Sequence, residues 1–161
     1  MAEFKLDLNT GELLIGGKRA VFHCNHYNTF LQRTLNDAMG EKMIEVQINV
    51  SERINKEMLM EILRDVDDKR KEIEEVFANL GLGILDLSQL DQGKAVVSNS
   101  HYALNCFYKF GPQGSGTCLF ATGYIRAAAE ILTDEPKRFI ETECISMDPD
   151  KYNDCIFEVR P

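Results

Sequence analysis

Apolar residues change their period midway along the chain, and that change restricts the fold more than any other feature. Between 59 and 80, Leu59, Ile62, Leu63, Val66, Ile73, Val76, Phe77 and Leu80 recur every three or four positions, which is one buried helix face. Gly81 follows, where a left-handed cap is easy for glycine. A single helix is therefore expected to end there, with the charged run 65–70 on its solvated face. An earlier helical face runs from 26 to 39 through Phe30, Leu31, Leu35, Ala38 and Met39, ending at Gly40. After Gly81 the runs become short and β-prone. Residues 84–87 and 94–98 flank Asp91-Gln92-Gly93, a hairpin signal. Residues 138–145 and 156–159 are joined by the turn-rich Met147-Asp148-Pro149-Asp150. A glycine-rich loop over 111–116 leads into a helix over 118–132, with Thr117 or Ser115 as N-cap candidates and Pro136 as its stop. At the start, 4–8 and 13–15 flank Asn9-Thr10-Gly11 as a hairpin. The stretch 43–50 is ambiguous, because Ile44, Val46, Ile48 and Val50 alternate as in a strand. Helices, then strands, then a helix and strands describe an α+β domain around a small antiparallel sheet.

Length and charge narrow the class. A chain of 161 residues suits one domain over 1–161, and 44% apolar with 27% charged residues is globular usage. The net charge is −8, with no cluster of Lys and Arg to hold phosphates, so nucleic acid is not expected as a direct partner. No stretch approaches the roughly 20 apolar residues of a membrane span. Acidic residues stand near the start, where a signal peptide would be apolar, and the five cysteines are an odd number. The expectation is a cytoplasmic protein whose thiols are buried, metal-bound or reactive rather than paired.

The chemistry collects near the C-terminal end. Glu141, Cys144 and Cys155 lie within fifteen residues, and Cys118 opens the preceding helix. A returning hairpin brings Cys144 and Cys155 together, and three thiolates with one carboxylate make up the donor set of a closed tetrahedral zinc site. The spacing has no CxxC pair, so three separately buried thiols stand as the alternative.

Three stretches carry a resemblance: Ala95-Val96-Val97-Ser98-Asn99-Ser100-His101-Tyr102-Ala103, then Cys118-Leu119-Phe120-Ala121-Thr122-Gly123-Tyr124, then Glu141-Thr142-Glu143-Cys144 with Cys155-Ile156-Phe157-Glu158. From Gly93 to Val159 the chain resembles the 4-vinyl reductase domain family. That family includes sensor domains of phenol-responsive activators, an accessory protein of bacteriochlorophyll synthesis and archaeal hydrocarbon-binding proteins. It is related in fold to vesicle-tethering subunits that hold an acyl chain. The resemblance implies a four-stranded antiparallel sheet packed against helices, with the N-terminal hairpin as an extension, and a helix rather than a strand over 43–50. It implies structural zinc on Cys118, Glu141, Cys144 and Cys155, with Cys106 in reserve because the turn before Cys155 is long. It also implies a homodimer.

A second cluster, His23-Cys24-Asn25-His26, admits three readings: a second metal site, a nucleophilic Cys24, or a helix start with capping asparagines and hydrogen-bonded histidines. No GxSxG elbow, P-loop, dinucleotide fingerprint or HExxH is present, so the sequence makes no positive case for an enzyme. The expected function is binding of a small apolar molecule by a sensor or carrier module. Phe30, Phe77, His101, Phe120 and Tyr124 are the candidate pocket residues, and plain core packing is the competing fate for each. An adaptor subunit acting through its surface, and an accessory subunit of a tetrapyrrole or one-carbon pathway enzyme, are the rival classes.

Overall fold

The computed structural model describes residues 4–160 apart from 16, 22 and 23. Three short strands, β1 (Phe4–Asp7), β2 (Glu12–Ile15) and β3 (Lys18–Ala20), form an antiparallel N-terminal sheet in that order. Asp7 closes its first turn by accepting the backbone N–H groups of Asn9 and Thr10. The expected hairpin is there, extended by a third strand. Helices α1 (Asn25–Met39), α2 (Lys42–Ile62) and α3 (Lys69–Asn79) follow. Next come β4 (Ile84–Asp86), β5 (Lys94–Ser98), α4 (His101–Phe110), α5 (Leu119–Thr133), β6 (Phe139–Glu143) and β7 (Asp154–Val159). The second sheet is fully antiparallel, in the order β4-β5-β7-β6. The architecture is thus α+β, a four-stranded antiparallel sheet packed against helices.

The α5 helix organises the rest. Every residue from Ala121 to Ala129 is buried, as in a helix covered on all sides. Towards the sheet it joins Leu85, Ala95, Val97, Phe139, Cys155 and Phe157 in one apolar cluster. Tyr124 meets Phe77 of α3 edge-on, with ring centroids 5.0 Å apart, and its hydroxyl donates to the Ile73 carbonyl. On another side it packs against α2 so closely that Gly123 has no room for a side chain. A Cβ there would stand 2.4 Å from the Ile48 carbonyl oxygen and 2.6 Å from the Ser51 Cβ. Beside this contact the buried face of α2 carries two polar residues among Met43, Ile48 and Leu59. Ser51 donates to the Phe120 carbonyl at 2.7 Å, and Asn55 donates to the Ser51 carbonyl at 2.8 Å.

The helix that the resemblance implies over 43–50 is present, one expectation is corrected, and one helix was not foreseen. The stretch 43–50 is helical, within α2. The helix expected over 59–80 is two helices, because Asp68 accepts the Lys71 N–H and starts α3 afresh. Residues 101–110 form α4, whose N-cap Ser100 accepts the Ala103 N–H. Among the described residues, no helix is long and apolar enough to cross a membrane.

Gly123→Ala tests the α2–α5 contact. Forcing a methyl into packed backbone costs about 1–3 kcal/mol, so urea unfolding should show a lower midpoint with an unchanged slope.

Candidate metal centre and apolar groove

Four side chains converge where α5 begins. The ligand atoms of Cys118, Glu141, Cys144 and Cys155 all lie within 4.8 Å of one another. Cys118 is the N-cap of α5, and Cys155 faces inward from β7 beside Val97. Glu141 and Cys144 are brought together by an irregularity. Side chains three apart on a regular strand point to opposite faces, but the β6–β7 pairing shifts between Glu141 and Glu143. That bulge inserts one residue and returns Cys144 to the inner face shared by Phe139 and Glu141.

The sulfur spacing suits a metal better than a disulfide. Cys118 Sγ lies 3.6 Å from Cys155 Sγ, which lies 3.7 Å from Cys144 Sγ. A disulfide needs about 2.05 Å, whereas thiolates about 2.3 Å from a tetrahedral zinc stand about 3.8 Å apart. Hydroxyls surround the thiols: Ser100 Oγ is 3.1 Å from Cys118 Sγ, and Ser146 Oγ is 3.0 Å from Cys144 Sγ. Thr117 donates to Ser146 and ties the two loops together. The Glu141 Oε2 atom accepts the Cys118 N–H at 2.9 Å and so caps the helix start, where the dipole favours an anion. Its other oxygen is buried with no hydrogen-bond partner among the described residues. A buried, half-satisfied carboxylate beside three thiols is the donor set of a thiophilic cation.

Without a cation, burial opposes ionisation. It holds the Cys118 thiol well above its ordinary range, and contacts with Cys144 and Cys155 add to this. Burial likewise raises the Glu141 carboxyl. Contact with Cys118 pulls the Cys155 thiol down, but Cys144, burial and the neighbouring anions together outweigh it, so the net shift is upward. Cys144 moves the other way, because hydrogen bonds from Cys118 and Cys155 hold its thiolate far below the usual range.

Cys106 stays outside this group. It is buried along a polar cleft of about 250 Å³ with Thr29, Gln32 and Thr117. Of the N-terminal cluster, His23 lies outside the described residues. Cys24 is exposed and precedes α1 as its N-cap, without a capping side-chain hydrogen bond. His26 is exposed and contacts the Lys109 ammonium.

The five candidate pocket residues are dispersed. Phe77 and Tyr124 are fully buried against each other. Phe30 is 49% exposed and meets Phe110 edge-on. His101 is half-buried, its Nε2 accepts from the Asn28 side-chain amide at 3.4 Å, and burial lowers its pKa. Phe120 alone borders an apolar groove, about 230 Å³, with Leu35, Met43, Val46, Val50, Ile54 and Tyr102. Tyr102 stacks on Phe120 at 6.2 Å, and burial pushes its hydroxyl pKa up to about 12. The α2 residues of this groove went unassigned in the sequence, though the run Val46, Val50, Ile54 at four-residue spacing was the signal.

Fold and site together define an α+β module with a buried Cys₃Glu cluster at the start of its central helix. No protein-family model and no curated protein sequence matches the chain. Solved structures do. The phenol-responsive sensory domain of the transcription activator PoxR, determined with phenol, matches at a TM-score of 0.78 and 14% identity, over 98% of this chain and 84% of that one. A vinyl-4-reductase family protein from Methanocaldococcus jannaschii matches at 0.58 and 16% identity, over 88% and 82%. The chain has the fold of these proteins, and the likeness extends well beyond the motifs of 93–159.

Gly116 permits the carboxylate to sit where it does, since a Cβ there would lie 2.2 Å from Glu141 Oε2. Gly116→Ala should therefore lower the unfolding free energy by roughly 1–3 kcal/mol in urea titrations. Gly114→Ala, which meets nothing within 4 Å, should leave it unchanged.

Proposed function

We propose that the chain is a single-domain, zinc-stapled module that binds a small apolar molecule as a sensor or carrier. One observation carries the reading: the Cys₃Glu cluster anchors the two helix starts that wall the apolar groove. Cys118 begins α5, which presents Phe120 two residues later, and Ser100 beside the Cys118 thiol begins α4, which presents Tyr102. A closed, thiolate-rich, four-donor site is that of structural zinc. The metal would lower the thiol pKa values that burial raises and leave two negative charges, which the α5 dipole offsets in part. The fold shared with a phenol-responsive sensory domain supports a ligand of that kind. Groove size supports it as well. Pockets for drug-sized ligands run about 300–1,000 Å³, so a groove of about 230 Å³ suits a single ring or a short aliphatic chain rather than a tetrapyrrole.

Purified protein should carry one zinc per chain by elemental analysis, the expected content of a closed site. Cys144→Ser and Cys155→Ser should lose it and unfold at lower temperature, whereas Cys106→Ser should keep it. A screen of phenols, fatty acids and alkanes should find a compound that raises the melting temperature. Saturation at a hundred times Kd adds about 2.7 kcal/mol. Val50→Trp should abolish that shift while zinc stays bound. Metal-free protein of undiminished stability would refute the zinc, and no shift with any compound would refute the ligand.

A second reading rests on the same helices. Leu31, Met39, Val46, Val50 and Ile54 are each close to half exposed along α1 and α2, and contiguous exposed apolar surface marks association. This face would then bury against a second copy or a partner subunit. Light scattering should show a dimer that Ile54→Glu converts to monomer, and a wild-type monomer would exclude self-association.

A further inference from the structure

Arg126 is at odds with its surroundings in the middle of α5. The residue is more than nine-tenths buried, with 6% of its surface exposed. Its Nε donates to the Phe139 carbonyl at 3.0 Å. Its Nη1 stands 3.8 Å from both Glu45 Oε2 and Glu52 Oε2, beyond hydrogen-bond reach. Its Nη2 is buried without any hydrogen-bond partner among the described residues. A buried charged donor left unsatisfied is costlier than a neutral one, so packing alone does not account for it.

The guanidinium lines a cavity of about 170 Å³, whose other walls are Glu52, Pro136, Lys137 and Arg138. Arg138 holds Glu45 at 2.9 Å from its Nη2. Three cations thus face two carboxylates, which leaves local positive charge on a chain whose net charge is −8. The cavity also lies apart from the apolar groove: Arg126 and Phe120 are six residues apart on α5, about 9 Å along the axis. The guanidinium keeps its Nη2 without a hydrogen-bond partner among the described residues, and the planar fork matches the two oxygens of a carboxylate or phosphate.

We propose that this cavity binds the oxyanion group of a small molecule, a carboxylate or a phosphate, gripped by Arg126 with Lys137 and Arg138 beside it. The site acts independently of the metal and of the apolar groove.

Calorimetric titration of the purified protein with inorganic phosphate, and separately with acetate, tests this. At least one anion should bind saturably with one site per chain and more weakly at higher salt. Binding of phosphate alone identifies a phosphate ester as the ligand class, and binding of acetate identifies a carboxylate. Arg126→Lys keeps the charge but loses the fork, and should weaken binding about tenfold or more. Lys137→Gln, at a half-buried position on the cavity wall, should also weaken it severalfold and carries the test if Arg126→Lys does not fold. Neither anion binding at millimolar concentration, or binding unchanged in Lys137→Gln, would overturn the proposal.

Discussion

Four groups that ionise to anions are packed within 4.8 Å at the start of the central helix, the three thiols buried and the carboxylate partly so. Thiols and carboxylates in such a place repel one another once charged; burial drives Cys118 and Glu141 towards their neutral forms, and Cys144 together with burial does the same to Cys155 against the opposing pull of Cys118. The surroundings mitigate this with hydroxyls from Ser100 and Ser146 and with the amide of Cys118. These contacts come from three separate segments: the start of α4, the start of α5 and the loop beyond β6. Whatever neutralises the cluster therefore holds the sheet to its covering helix as well.

From that anchor α5 runs through the molecule with little freedom. Its Gly123 fixes the distance to α2, its Tyr124 fixes the distance to α3, and its Arg126 reaches the β6 backbone. Each contact is a close approach or a buried hydrogen bond, and neither stretches without cost. α2 is held by one face only. Its buried residues are Met43, Ile48, Ser51, Asn55 and Leu59, while Ile44, Val46, Val50 and Ile54 remain partly exposed on the other side. A helix with two apolar faces, one satisfied and one open, is suited to meet a ligand or another chain.

That double character also explains where sequence reading succeeded and where it did not. Strands β4, β5 and β7 were legible because their residues alternate between buried and more exposed positions, whereas β6 follows no such alternation. The stretch 43–50 is ambiguous in its pattern because Val46 and Val50 alternate in sequence with Ile48 yet share no face with it, and only the resemblance pointed to a helix. The helix boundary at Asp68 was hidden because Val66, inside the break, still packs on the core and so preserves the apolar period. The α4 helix escaped notice despite Ser100 as cap and Ala103 and Cys106 at helical spacing, because it is short and follows a strand directly. At the cluster, Cys118, Glu141, Cys144 and Cys155 were legible as a set of donors. The way Glu141 and Cys144 meet was not, since a bulge has no residue signature at Thr142. The dispersal of Phe30, Phe77 and Tyr124 shows the usual limit: an aromatic side chain announces that it will pack, not against what.

The bulge in β6 makes chain length matter unequally on its two sides. Beyond Met147 the connection to Cys155 is largely exposed, and residues can be gained or lost there without moving either thiol. Between Glu141 and Cys144 the count is quantised. One residue more or fewer turns Cys144 to the outer face of the sheet, and no adjustment of side-chain rotamer brings it back. Divergence in this fold should therefore pass freely through the loop while the three-residue step stays fixed. A separation that looks arbitrary in sequence is set by the geometry of a strand with one residue too many.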